Sequence, residues 1–296
     1  MWGQPPSTVR RAKLGRNWRW PFARKVRIAC FQHHKLLCPG AGSITQIRKW
    51  QFNLIAMHPL DNVIWQALST RQVKFAESFE QARRFMPEVS PLAGFREPTP
   101  EGYESLAGLL GTRGTIGLFL DLPYQARPGW DLVAGAPLLQ MVSENGRATP
   151  ASQVDPDLGL VELGDADSPA MIELTALTKP GPFGKRTHEL GTYLGIRREG
   201  KLIAMTGERM KVPGWTEVSA VCTHPEHTGH GYARILMTEI MRRIRSRGET
   251  PFLHVREDNV RAIALYQRLG FVRRVRAHFA VLRKDASYWE LGTKNS

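Results

Sequence analysis

Cysteine and long apolar runs are both scarce in this sequence. Its 296 residues include three cysteines, Cys30, Cys38 and Cys222, too few for the disulfide framework of a small secreted protein. No apolar run approaches the roughly 20 residues that a membrane-spanning helix needs. These absences argue against a disulfide-rich secreted fold and a membrane protein. They predict a soluble protein of a reducing compartment, which we expect to be the cytoplasm, with no membrane partner.

Acidic residues are missing from the first 60 positions, and Asp61 is the first of them. Eleven lysines and arginines lie within residues 1–50, so this stretch carries most of the formal net charge of +14 and leaves +3 for the remainder. The basic character therefore belongs to a tail and not to the globular part. We predict that residues 1–56 form a basic tail that is disordered or not translated, with Met57 as the natural start. A transit peptide is the alternative.

The tail permits two further hypotheses, and we favour neither. Residues 18–20, Trp-Arg-Trp, could stack on nucleic acid and contact its phosphates. Most charge runs are merely solvated, so a nucleic-acid partner is not expected. A metal cluster could be built from four tail residues, namely Cys30, His33, His34 and Cys38. Their spacing matches no common zinc pattern, so we predict no metal site.

Two α/β domains are predicted after the tail. The first, over 57–150, combines a helix across residues 75–85 with strands at 115–120 and 138–142. Turn-forming residues between Asn145 and Pro156 indicate a boundary. The second domain, over 157–286, contains a hairpin whose turn is Glu199-Gly200 and a mixed succession of strands and helices.

The most informative segment follows the predicted strand 217–223. A turn containing Gly229 and Gly231 leads directly into a helix whose apolar residues recur at helical spacing from Ala233 to Ile244. Glycine lets backbone N–H groups approach an anion without interference from Cβ. The start of a helix adds unpaired amides and the positive end of the helix dipole. Strand, turn and helix together predict a pyrophosphate-binding site.

Segments 217–245 and 252–271 resemble the acyl-CoA-binding and catalytic motifs of the GNAT superfamily of N-acetyltransferases. The resemblance covers residues 158–284 and extends to the glycine-N-acyltransferase-like subgroup, in which a diverged half precedes the motif-bearing half. It implies a GNAT fold, with a mixed central sheet and flanking helices, preceded here by a smaller diverged α/β domain. Acetyl-CoA is the co-substrate that the resemblance implies. The chain departs from the family at Thr228, where Arg or Gln is usual, and His230 or Arg234 could offset the lost phosphate contact.

The resemblance also implies roles for individual residues. Tyr266 matches the tyrosine that protonates the departing thiolate, although it could instead be a packed aromatic. Glu217, with Glu208 as second choice, is the candidate base; solvated strand-end acids are the alternative. Asn259 could contact the cofactor or cap its helix. The cofactor-binding set that the resemblance implies is Val221, Cys222, Thr223, Thr228, Gly229, His230, Gly231, Tyr232, Ala233 and Asn259.

The sequence therefore predicts an N-acyltransferase that moves an acetyl group from acetyl-CoA to a primary amine by direct attack. The acceptor, a small molecule or a peptide, is not identified by any motif, and neither is the oligomeric state. One alternative is a protein that binds acyl-CoA without turnover, because Thr228 departs from the family pattern. A nucleic-acid-associated protein acting through the basic tail is the last alternative.

Overall fold

The computed structural model describes residues 58–111, 114–143 and 158–292, all within one compact unit, Leu54–Ser296. The predicted tail over 1–56 and the predicted boundary near residue 150 lie outside the described residues. The strands are β1 Ala76–Phe79, β2 Ala82–Phe85, β3 Ala93–Phe95, β4 Thr115–Leu120, β5 Trp130–Ser143, β6 Leu160–Leu163, β7 Tyr193–Arg198, β8 Lys201–Val212, β9 Trp215–Thr223, β10 Thr250–Arg256 and β11 Phe271–Lys284. The helices are α1 Val63–Ser69, α2 Pro100–Leu109, α3 Ser168–Thr178, α4 Tyr232–Ser246, α5 Val260–Arg268 and α6 Ala286–Gly292.

Eight of these strands form one mixed sheet in the order β4-β11-β5-β10-β9-β8-β7-β6. Strand β5 lies between β10 and β11 and is antiparallel to both of them. Strands β10 and β11 therefore run in the same direction, and α5 is the crossover between them. Since β4 and β5 come from the first predicted domain, residues from both sides of the predicted boundary share a single sheet.

The predicted helix over residues 75–85 is wrong. This segment contains strands β1 and β2, which pair as an antiparallel hairpin with Phe79 opposite Ala82. Glu80, in the turn, has a φ of 45°, a left-handed conformation that a helix interior excludes. Phe75 and Phe85 are nonetheless buried in the same cluster. Their helix-like spacing arises because a short reversal of the chain brings them to one side.

Helices α4 and α5 cover one face of the large sheet. The apolar stripe predicted for α4 is buried against alternate strand residues such as Leu253 and Val255 of β10. Gly270, with a φ of 88°, ends α5 as predicted. The buried residues of the stripe are Leu236, Met237, Ile240, Met241 and Ile244, whereas Ala233, its first residue, is only half-buried.

The other face of the sheet is covered by α1 and α3. Phe252 of β10 packs with α1, whereas Cys222 of β9 packs with α3. The sheet therefore has helices on both faces, and strands β9 and β10 lie in its buried centre.

Candidate active site

The centre of the sheet opens into a fork. Strands β9 and β10 pair in parallel only where Trp215–Glu217 lies opposite Thr250–Phe252. Beyond these residues the two strands, both described along their whole length, have no further pairing with each other. Backbone groups of β9 from Val218 onward thus face β10 without a ladder partner. Such groups remain free to bind an extended ligand.

A β-bulge deforms β9 inside this fork. Gly207 of β8 pairs with Ser219, and Met205 pairs with Cys222, so Ala220 and Val221 together lie opposite a single residue of β8. Ala220 has a φ of 53°, which is uncommon for a residue with a Cβ. Bulges redirect the strand and are frequent beside active sites. This bulge turns the backbone of β9 within the fork and includes Val221, the first of the residues Val221 to Thr223 that the sequence predicts as cofactor-binding.

The predicted glycine turn lies where β9 ends and α4 begins. Gly229 and Gly231 have φ values of 90° and 77°, and a Cβ at either position would meet nothing within 4 Å. The first α-helical bond runs from the Ile235 N–H to the Gly231 carbonyl over 3.1 Å. The amides of Tyr232 and Ala233 precede it, at the positive end of the helix dipole. Open space beside unpaired amides suits a phosphate group.

Two side chains of the turn are engaged within the turn itself. The Thr228 hydroxyl donates to the Pro225 carbonyl over 3.0 Å. His230 has its Nδ1 atom 3.1 Å from the Thr228 carbonyl, and its ring stacks on Tyr232 with centroids 5.5 Å apart. The turn is therefore braced by its own side chains. Contact of Thr228 or His230 with a phosphate stays a prediction.

Tyr266 and Cys222 are both buried and lie close enough to interact electrostatically. Tyr266 is 8% exposed and packs edge-on against Phe271. Burial, with a smaller contribution from the neighbouring Cys222, raises the pKa of Tyr266 to about 12. The phenol therefore keeps its proton throughout the neutral range and can donate it. Burial likewise raises the pKa of Cys222 to about 11, against hydrogen bonds from Thr178 and Met205 that lower it.

Asn259 caps helix α5, which is one of the two roles that the sequence predicts for it. Its Oδ1 atom accepts a hydrogen bond from the Ala262 N–H over 3.1 Å at the start of α5. This is a helix cap.

Glu217 is unsuited to the predicted role of general base. The residue is 0% exposed, and the Arg209 guanidinium donates to both of its carboxylate oxygens over 2.7 and 2.8 Å. The His254 Nδ1 atom lies 2.8 Å from Oε1, and the Met210 N–H donates to Oε2. Burial opposes ionisation, but the charge and hydrogen bonds of Arg209, together with the hydrogen bond from His254, lower the pKa of Glu217 to about 2. So weak a base, with its oxygens already hydrogen-bonded, does not attract a proton from an amine.

Glu208, the second candidate, is unsuited for a similar reason. It is also 0% exposed, and it accepts from Arg247 over 2.6 Å. Its other oxygen lies 2.8 Å from the Lys211 ammonium. The alternative predicted for both acids, a solvated strand end, is wrong as well, because both are buried ion pairs.

The residues that hydrogen-bond to Glu217 and to its partner His254 are not evident from the sequence. Arg209 and His254 are separated from it along the chain, and Gln140, which contacts His254, lies 114 residues from that histidine. One signal was present in the sequence. Gln140 interrupts the apolar run Leu138-Leu139-Gln140-Met141-Val142, and a polar residue at such a position is buried with a partner.

Comparison with known proteins identifies the family. The family model described as FR47-like protein matches residues 193–280. N-alpha-acetyltransferase RimI of Mycobacterium tuberculosis is 31% identical over 125 residues, which are 39% of this chain and 78% of the relative. A crystal structure of a protein described as being from the GNAT family, from Novosphingobium aromaticivorans, is 37% identical with a TM-score of 0.70; the match covers 77% of this chain and 99% of that chain. The chain belongs to the GNAT family of acetyltransferases.

GNAT enzymes use acetyl-CoA as co-substrate, and the helix start after the glycine turn offers amides of the kind that bind phosphate groups. Among the described residues, no group of histidine, cysteine and acidic side chains is arranged to hold a metal ion. Within the same residues, none of the helices combines the length and apolar character needed to cross a membrane.

Proposed function

We propose that this GNAT protein transfers the acetyl group of acetyl-CoA to a primary amine by direct attack of the amine on the thioester. The observation that carries the proposal is the continuity of β9. A single strand runs from the apex of the fork through a bulge to an open glycine turn, so unpaired backbone groups follow one another along the length of an extended ligand.

Separate residues bind the cofactor and take part in the transfer. Amides from Gly229 to Ala233 bind the pyrophosphate at the start of α4. Backbone groups of β9 within the fork bind the pantetheine chain and donate to the thioester oxygen, which becomes negative as the amine attacks. Tyr266 donates its proton to the departing sulfur. Cys222 itself forms no covalent intermediate, because its raised pKa keeps the thiol protonated.

The acceptor is an α-amino group. With Glu217 and Glu208 held in buried ion pairs, the amine enters in its neutral form after losing its proton to water. At pH 7.5 about one quarter of an α-amine with a pKa near 8 is neutral, against about 0.1% of a lysine side chain with a pKa near 10.4. The relative named N-alpha-acetyltransferase agrees with this choice. A peptide N-terminus or a free amino acid therefore suits the site better than a lysine side chain.

Thiol release from acetyl-CoA tests this assignment. Peptides with a free α-amine should react faster than the same peptides that are blocked at the N-terminus and carry a lysine. Across α-amines of different acidity, the pH at which kcat/KM reaches its plateau should move with the pKa of the amine. Faster reaction of the blocked lysine peptide would overturn the choice of acceptor. If millimolar acetyl-CoA does not change the melting temperature of the folded protein, the proposed function is overturned.

The glycine-N-acyltransferase-like arrangement remains part of the proposal. The supporting observation is that β4 and β5 enter the sheet of the motif-bearing half, so a diverged first half completes the second.

A further inference from the structure

A continuous row of polar side chains crosses the centre of the large sheet. Its members are Arg209 on β8, Glu217 on β9, His254 on β10, Gln140 on β5 and Arg274 on β11, which is the order of these strands in the sheet. Every neighbouring pair is in hydrogen-bond contact, with distances of 2.7 Å, 2.8 Å, 3.1 Å and 2.7 Å in that order.

The hydrogen bonds determine which ring nitrogen of His254 donates and which one accepts. Arg274 donates to the Oε1 atom of Gln140, so the amide nitrogen of Gln140 is the atom that faces the Nε2 atom of His254. That amide nitrogen also donates to the Leu60 carbonyl over 2.9 Å. Nε2 must then accept, and the Nδ1 atom carries the proton that it donates to Glu217. Both ring nitrogens of His254 are therefore occupied by hydrogen bonds.

The row lies where the fork begins. Glu217 and Phe252 are the last residues to pair between β9 and β10, and His254 is the next residue of β10 on the same face as Phe252. The hydrogen bond from His254 to Glu217 thus replaces the backbone ladder at the first position where that ladder is missing. Arg209 and Gln140 hold its two ends from the outer strands.

We propose that the hydrogen bond between His254 and Glu217 sets the opening of the fork, and that His254 is a positioning residue of the transferase. This inference rests on the proposed function for its effect on catalysis. The side chains of His254 and Glu217 are 2% and 1% exposed, so neither meets the amine. Gln140 belongs to the first half of the chain, and through it that half holds the site of the second half in place.

Two substitutions of His254 separate the hydrogen bond from the ring. In His254→Asn the amide nitrogen can occupy the place of Nδ1 and still donate to Glu217, whereas His254→Leu removes the donor and leaves the Arg209 pair intact. His278→Asn, on β11, is the matched control for loss of a sheet histidine outside the row. We expect His254→Leu to lower kcat/KM roughly 100-fold, as displacement of a reacting group by about 1 Å does, and His254→Asn to recover most of that loss.

Hydrogen exchange of the protein without cofactor gives a readout that does not depend on activity. We expect His254→Leu to speed exchange of the amides of 218–220 and 253–255, and to leave the amides of β7 unchanged. Unchanged exchange at the fork would overturn the inference even if the variant were less stable overall. Equal loss of kcat/KM in both His254 variants, with the acid limb of the pH profile abolished, would overturn it in favour of a base. Failure of the wild-type protein to respond to acetyl-CoA would instead refute the proposed function, and exchange would still decide the role of His254.

Discussion

Removal of the first half of the chain should unfold the second. A fragment over 157–286, the predicted GNAT domain, lacks β5 and therefore has a gap between β10 and β11. Leu138, Leu139 and Met141 of β5 are 8%, 4% and 0% exposed. Burial of each such side chain contributes about 1.5–3 kcal/mol, so the fragment forfeits roughly 5–9 kcal/mol before any hydrogen bond is counted. A whole domain has only about 5–15 kcal/mol of stability.

Circular dichroism and thermal unfolding of the fragment measure this directly. We expect no cooperative transition from the fragment alone. Adding a peptide over 57–143 should restore a transition and the response to acetyl-CoA, because the missing strand can enter the gap from a separate chain. A fragment that unfolds cooperatively near the temperature of the full chain would refute the reasoning, since β5 would then be dispensable to the sheet.

The remaining predictions concern single residues. Tyr266→Phe should lower kcat by about 10²- to 10⁴-fold, the range for general acids, while the acetyl-CoA Kd from calorimetry stays the same; unchanged turnover would remove the acid role, and absent turnover in the wild type would favour a protein that only binds acyl-CoA. Gly231→Val should weaken acetyl-CoA binding on the order of tenfold, because its φ of 77° costs a residue with a Cβ about 1–2 kcal/mol and the added side chain enters the open space; equal Kd values would show that the ligand lies elsewhere. Leu139→Ala should lower the free energy of unfolding by about 2–5 kcal/mol, whereas Leu132→Ala on the same strand, 52% exposed, should change it by less than about 0.5 kcal/mol; similar losses at both positions in urea titrations would contradict the burial of β5. Because the pKa of Glu217 falls from 4.5 to about 2 on folding, its ionisation contributes about 3 kcal/mol of stability that is fully present above pH 4.5 and is lost as the pH falls towards 2; in Glu217→Gln the stability should change less over this range in acid titrations followed by fluorescence.

The parts that the sequence predicts well are those governed by local patterns. The stripe of α4, the glycine turn before it and the glycine that ends α5 depend on residues within one or two helical turns of one another. The hairpin turn at Glu199-Gly200 is also predicted from a local pattern, and both residues have the positive φ that such a turn requires.

The predictions that the structure contradicts depend on contacts between residues from different strands. The sequence predicts Glu217 as a base or a solvated acid and does not reveal its buried ion pair, because Arg209 and His254 meet it only through the pairing of strands. The hairpin of β1 and β2 imitates a helix because apolar residues three or four positions apart can also be brought together by a reversal of the chain. The placement of β5 depends on pairing partners more than a hundred residues away, which no local pattern encodes.

The position of β5 also has a consequence for how the chain folds. Its contacts with β10 join residues 114 positions apart, and such non-local pairing makes folding slow. During synthesis β5 emerges long before either strand that flanks it, and until then both of its edges offer unpaired backbone to other molecules. The sheet closes only after β10 and β11 have also left the ribosome, so the edges of β5 are open to aggregation until then.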